Sequence, residues 1–223
     1  MFKLPTIVIQ FDNEIESKAL PYFRGAVIAS LEKKDILFHN HDEDKLRYSY
    51  PLIQYKRIHR KAAVMGIGKG IEAISQLLTA RDFNYQIGNE QVEMRIEAVN
   101  AYDNEIMLTE NADFHYRLHS WLPLNSENYK QYQESESMVE RIQILERVLV
   151  GNILSFLKGV DIYLEDQLKL SITDITGQRA VTYKNVKLMA FDIEFKANIQ
   201  LPQHIGIGKN ASIGCGVLTI ITN

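Results

Sequence analysis

The chain has 223 residues, 25 Lys+Arg, 28 Asp+Glu and a formal net charge of −3; at 46 % hydrophobic and 24 % charged it cannot be a disordered tail or a fibrous repeat. Its one cysteine, Cys215, excludes an intrachain disulfide and a cysteine-based zinc site, and an N-terminus without the apolar core of a signal peptide predicts a cytoplasmic protein. No run approaches the ~18 apolar residues of a membrane span, so no membrane partner is expected.

In chain order, Thr6–Phe11 predicts an opening strand, and Ser17–Leu31 predicts a helix with Pro21 in its first turn or at a break before Tyr22. Tyr48–Tyr55 and Ile58–Met65 predict paired strands, and Gly70–Ala80 places Ile71, Ile74, Leu77 and Leu78 at helical spacing. Strand-like segments follow at Gln91–Val99, Glu105–Thr109 and Phe114–Trp121. The clearest helix is Ser137–Lys158, opened by the capping box Ser137-x-x-Glu140 and ended by Gly159 as C-cap. Lys169–Asp174, Val186–Ala197 and Val217–Ile221 predict the closing strands. The fold class is α+β: the first β-α-β-β-α-β suits a ferredoxin-like unit, and the second part reads as a degenerate copy. The polar stretch Asn125–Ser137 marks the boundary, giving domains 1–124 and 125–223.

The small net charge hides an uneven distribution. Lys45, Arg47, Lys56, Arg57, Arg60 and Lys61 occupy one segment free of Asp and Glu, interleaved with Tyr48, Tyr50, Tyr55 and His59. A run of this kind is either a solvated face or a surface where cations meet phosphates and rings meet bases. Just ahead, His39 and His41 lie two apart, on one side of an extended segment; imidazoles titrate near neutrality and suit acid–base work, although an exposed loop pair would look the same. His115 and His119 share a face and read as sheet residues.

The C-terminus carries Gly206-Ile207-Gly208-Lys209-Asn210-Ala211-Ser212-Ile213-Gly214-Cys215-Gly216, or Gly-h-Gly, five residues, Gly-h-Gly, with h apolar. Such a loop either presents backbone N–H groups to phosphates, with Lys209 and Ser212 adding a charge and a hydroxyl, or lets two strands close together. It is neither a nucleotide P-loop nor a dinucleotide fingerprint. The earlier cluster Gly66-Ile67-Gly68-Lys69-Gly70 reads as a strand-to-helix turn.

This glycine loop, together with Leu37-Phe38-His39-Asn40-His41 and Tyr50-Pro51-Leu52-Ile53-Gln54-Tyr55-Lys56, resembles the Cas6 family of CRISPR-associated endoribonucleases, and most closely its Cas6b branch. The resemblance implies two ferredoxin-like (RRM-like) units side by side with a C-terminal glycine-rich loop. It implies an enzyme that cuts CRISPR repeat RNA without metal or cofactor, by 2′-hydroxyl attack giving a 2′,3′-cyclic phosphate. By the same resemblance His39, His41 and a tyrosine (Tyr48 or Tyr50) would serve the chemistry. Lys56, Arg57, Arg60 and Lys61 would meet phosphates, and Gly206, Gly208, Lys209, Ser212, Gly214 and Gly216 would cradle the repeat backbone. CRISPR effector-complex subunits and a second copy of the chain are further partners the resemblance suggests. The alternative is a non-catalytic RNA-binding subunit of the same fold.

Overall fold

A computed structural model describes residues 1–30, 41–42, 45–46, 50–78, 83–112, 114–183 and 185–222. The chain divides into two compact units: Lys3–Asn104 with Ser212–Gly214, and Met1–Phe2 with Glu105–Ala211 and Cys215–Asn223. The division falls ahead of the expected boundary at 124/125, because Phe114–Trp121 is hydrogen-bonded into the second unit's sheet.

The N-terminal unit runs β1 (Phe2–Glu14), α1 (Leu20–Ser30), β2 (His41–Asp42), β3 (Lys45–Leu46), β4 (Ile53–Ile58), β5 (Lys61–Ile67), α2 (Gly70–Leu78), β6 (Asn84–Ile87), β7 (Glu90–Glu93) and β8 (Ile96–Ile106). Its main sheet has the order β4-β5-β1-β8, which places the fourth strand beside the first, the ferredoxin-like arrangement. A 3-10 turn, Ser17–Ala19, precedes α1, so the helix starts at Leu20 with Pro21 in its first turn, where a missing N–H is harmless. Leu20, Phe23 and Val27 are buried at helical spacing, and Ala73, Ile74 and Leu77 do the same from α2. Between the helices and the sheet, Phe23 meets Phe11, Tyr55 and Tyr85 edge-on, with ring centroids 5.8–6.0 Å apart. Tyr85 comes from the hairpin β6–β7, whose first strand the sequence did not reveal. The expected strand–helix turn is present: Gly68 N–H donates to Pro5 O (2.9 Å) just before α2.

The C-terminal unit runs β9 (Phe114–Trp121), α3 (Ser126–Glu134), α4 (Met138–Gly159), β10 (Leu170–Tyr183), β11 (Val186–Ala197) and β12 (Val217–Ile220). The sheet order is β10-β11-β9-β12, the same arrangement again. The polar stretch expected as a boundary contains α3, capped by the Asn125 side chain accepting from Asn128 N–H. The capping box of α4 forms as expected, with both Ser137 and Glu140 reaching back to the other's backbone N–H. Gly159 stays inside this helix; the left-handed residue that follows is Asp161, at φ 60°. Leu145, Leu149, Ile153, Phe156 and Leu157 form its buried stripe. Between β11 and β12, where the N-terminal unit has α2, this unit has only the glycine-rich connection with a 3-10 turn, Ala211–Ile213. Among the described residues no helix is long and apolar enough to cross a membrane.

Candidate nucleic-acid interface

Of the basic segment, Lys45 lies on β3 and Arg47 outside the described residues; Lys56, Arg57, Arg60 and Lys61 lie on the β4–β5 hairpin. Its two-residue turn, His59 (φ 47°) and Arg60 (φ 71°), has both central residues left-handed, the geometry that matches the twist of the flanking strands. The cations on it are largely answered by Glu14 at the end of β1, by Ile15 just after that strand and by β8. Arg57 Nε donates to Ile15 O (2.8 Å), Arg60 Nη2 pairs with Glu14 Oε2 (2.9 Å), and Lys61 Nζ pairs with Glu97 Oε1. The Glu97 carboxyl is held below its usual range, first by the Lys61 hydrogen bond and then by Gln10. Pairs this exposed are weak in water, so a polyanion can compete for the cations. Lys56 differs from the expectation placed on it: its side chain is fully enclosed on β4, on the face it shares with Gln54 and opposite the core residues Ile53 and Tyr55, whereas Arg57 is exposed. Tyr50 is also buried, its hydroxyl accepting from Gln54 Nε2 (2.7 Å), and burial pushes its pKa up.

His39 and Tyr48 lie outside the described residues. His41 opens β2, opposite Leu46 on β3.

The glycine-rich connection is pinned at its start. The Tyr116 hydroxyl donates to Ile199 O and accepts from Leu201 N–H, both at 2.9 Å, in a setting whose burial pushes its pKa up. Asn198, 2 % exposed, holds Lys169 N–H, Thr109 O and Gln167 O with its side-chain amide. The two Gly-h-Gly runs then face each other as arms. Leu218 N–H donates to Ile205 O (2.9 Å), Ile207 N–H donates to Gly216 O (2.7 Å), and Gly206 bridges to Val217. They close a loop with Lys209 exposed near its tip and Cys215 N–H donating to Asn210 O (3.3 Å). The strand-closing role of the glycines is therefore real. A Cβ at Gly216 (φ 59°) would strike Ile207 O; one at Gly208 (φ 87°) would stand 2.6 Å from Asn152 Oδ1 and 3.0 Å from Trp121 Nε1. Ser212 and Gly214 group with the N-terminal unit, where Gly214 rests on Leu20. Arg57, Arg60 and Lys61 belong to the N-terminal unit; Gly206, Gly208, Lys209 and Gly216 belong to the C-terminal one.

Three residues that the sequence did not mark support the loop. Trp121 Nε1 donates to Asn152 Oδ1 (3.0 Å) beneath Gly208, and Ser120 O accepts from Gly216 N–H (3.2 Å). A lone tryptophan at a strand end was the one available signal. His115 and His119 take sheet positions on β9, as expected. His115 Nε2 is 3.7 Å from Glu194, and His119 Nε2 is 3.1 Å from Thr219 Oγ1. Burial pulls the His119 pKa below its usual value, with Asp192 opposing and Arg117 and Arg179 assisting.

Comparison with known proteins covers both units. The family model for the Cas6b N-terminal domain matches residues 2–105, and that for the Cas6b C-terminal domain matches residues 108–221. An uncharacterized protein of Methanocaldococcus jannaschii is 32 % identical over 146 residues, spanning 63 % of this chain and 92 % of that one. A crystal structure of Cas6b superposes with a TM-score of 0.87 at 28 % identity, covering 99 % of this chain and 100 % of that one. Another, named as the CRISPR RNA processing endoribonuclease Cas6b, superposes with a TM-score of 0.75 at 27 % identity and the same coverage. The type IV Cas6 crRNA endonuclease Csf5 shares the fold, with a TM-score of 0.58 at 13 % identity.

Proposed function

Because the chain belongs to the Cas6b family, we propose that it is an endoribonuclease that cuts CRISPR repeat transcripts into guide RNAs. The observation that carries this reading is the match of both halves to Cas6b domains, together with likeness over 99 % of the chain to a protein named as a CRISPR RNA processing endoribonuclease. The chemistry follows from the residue types. One imidazole of the pair His39 and His41 takes the proton of the 2′-hydroxyl, whose oxygen attacks the adjacent phosphorus. The bond to the 5′-oxygen breaks, the other imidazole protonates that leaving oxygen, and the products are a 2′,3′-cyclic phosphate and a 5′-hydroxyl. Tyr48 would orient the phosphate or assist proton transfer. Arg57, Arg60, Lys61 and Lys209 meet phosphates, and the glycine loop with Ser212 holds the repeat backbone. Both acid and base come from the chain, so no metal is required.

Incubation with repeat RNA in EDTA tests this. One cut with a cyclic-phosphate end is expected, and a 2′-deoxy substitution at the attacking position should stop cleavage while binding survives. Cleavage that persists with the deoxy substrate, or that vanishes on chelation and returns with a divalent cation, would overturn the mechanism. Tight binding without cleavage in any condition would instead identify a non-catalytic RNA-binding subunit.

A further inference from the structure

Ser120 is a left-handed residue (φ 51°) without the freedom of glycine, and a set of side chains from two neighbouring strands holds it there. Its N–H donates to Asp192 Oδ1 (2.6 Å), Arg179 Nη2 donates to its Oγ, and Arg179 Nη1 pairs with Asp192 Oδ2. One carboxylate thus serves both the backbone of Ser120 and the guanidinium that grips its side chain. Room for Asp192 comes from Gly177 across the ladder, where a Cβ would stand 2.9 Å from Asp192 Oδ2. The pairing slips at this point on both sides, between Ile175 and Gly177 on β10 and between Phe191 and Ile193 on β11. Two irregular strands and a position left without a Cβ therefore meet at one strained residue.

The effect is felt in the glycine-rich connection. Held left-handed, Ser120 presents its carbonyl to Gly216 N–H, and Trp121, the next residue, presents the indole on which Gly208 rests. Both Gly-h-Gly arms thus dock on two consecutive residues of β9. As a half-exposed surface ion pair, Asp192 and Arg179 would contribute little; bonded jointly to Ser120, they set the backbone on which the loop sits. We propose that Asp192 and Arg179 are positioning residues that hold the glycine-rich loop in its RNA-gripping shape through Ser120. This rests on the reading that the loop grips repeat RNA.

The test uses the full chain with Asp192→Ala, Ser120→Gly and the double variant. Trp121, the sole tryptophan, reports loop docking by its fluorescence without RNA. Repeat-RNA affinity and the single-turnover cleavage rate at saturating protein report function. Asp192→Ala is expected to shift the Trp121 emission and to weaken repeat-RNA binding about tenfold, the loss of a charge-assisted hydrogen bond, with the saturating rate retained. Adding Ser120→Gly should restore both, because glycine reaches φ 51° without the steric cost that the anchor offsets at serine. A merely structural role would lower stability and would not be rescued in this way. Unchanged emission and affinity in Asp192→Ala, or a double variant that recovers neither, would overturn the proposal. Should Asp192→Ala not fold, Arg179→Ala is judged by the same criteria. If the parent protein itself fails to bind repeat RNA, the functional reading falls, and the emission shift and its rescue still decide the positioning role.

Discussion

Gly208 lies against Trp121 so closely that a Cβ at position 208 would stand 3.0 Å from the indole nitrogen. That nitrogen is already committed to Asn152 on α4, so the loop arm sits on a hydrogen bond joining sheet to helix. Gly208→Ala must displace the arm and also force alanine to φ 87°. A loss of about 1–3 kcal/mol is expected from the backbone alone. Urea unfolding monitored through Trp121 measures it, and repeat-RNA affinity should fall in parallel. Gly151, inside α4 with open space around it, is the control: Gly151→Ala should stabilise the protein by roughly 0.5–1 kcal/mol.

The pairing of Lys61 with Glu97 predicts a gain from removing a charge. Glu97→Gln leaves Lys61 uncompensated, so repeat-RNA binding should tighten at low salt. The plot of log affinity against log salt should steepen by about 0.7–0.9 if Lys61 then meets one more phosphate. Lys61→Ala should flatten the slope by about the same amount, and a slope unchanged in that variant would show that Lys61 touches no phosphate.

His119 predicts a pH dependence of stability. Burial lowers its folded pKa below the ordinary 6.5, so as pH falls through 6.5 the unfolded chain takes up the proton first. The folded state is therefore progressively disfavoured below pH 6.5, down to the folded pKa, and unaffected by this group above it. His119→Gln, which keeps a polar partner for Thr219, should flatten that part of the stability curve. Urea midpoints for both proteins at pH 7.5 and 5.5, values bracketing that window at roughly one unit each side, check the sign.

His39→Ala and His41→Ala should each lower the single-turnover cleavage rate by about 10²- to 10⁴-fold, the range of general acid–base assistance, with RNA affinity retained. Opposite displacements of the two limbs of the pH–rate profile would tell acid from base. A double variant that cuts at the parental rate would place the chemistry elsewhere.

Much of the fold was legible where one residue decides a local outcome. Ser137 and Glu140 announced α4 because a capping box acts within a single turn, and Phe114–Trp121 and Val186–Ala197 announced themselves as strands. Asn84–Ile87 did not, being four residues with a single fully buried ring, Tyr85. Nor did the distal half of β10, which is exposed along much of its length and pairs only with β11, so it has little reason to alternate. The charge of the basic segment was legible, but its compensation was not, because Glu14 and Glu97 approach across strands and a local count cannot see them. The support under the glycine loop was hidden for the same reason: Ser120 and Asp192 are 72 positions apart.

The Tyr116 hydroxyl, bonded to Ile199 O and Leu201 N–H, has a consequence at the far end of the same connection. A glycine-rich stretch is the most freely jointed polymer a protein can make, and ordering it on contact with a ligand would erode affinity. Here the stretch is clamped where it leaves β11 and again where Gly216 meets Ser120, so most of that freedom is surrendered during folding. A nucleic acid that reaches the loop meets a surface already shaped, and the disorder implied by four glycines has been spent before it arrives.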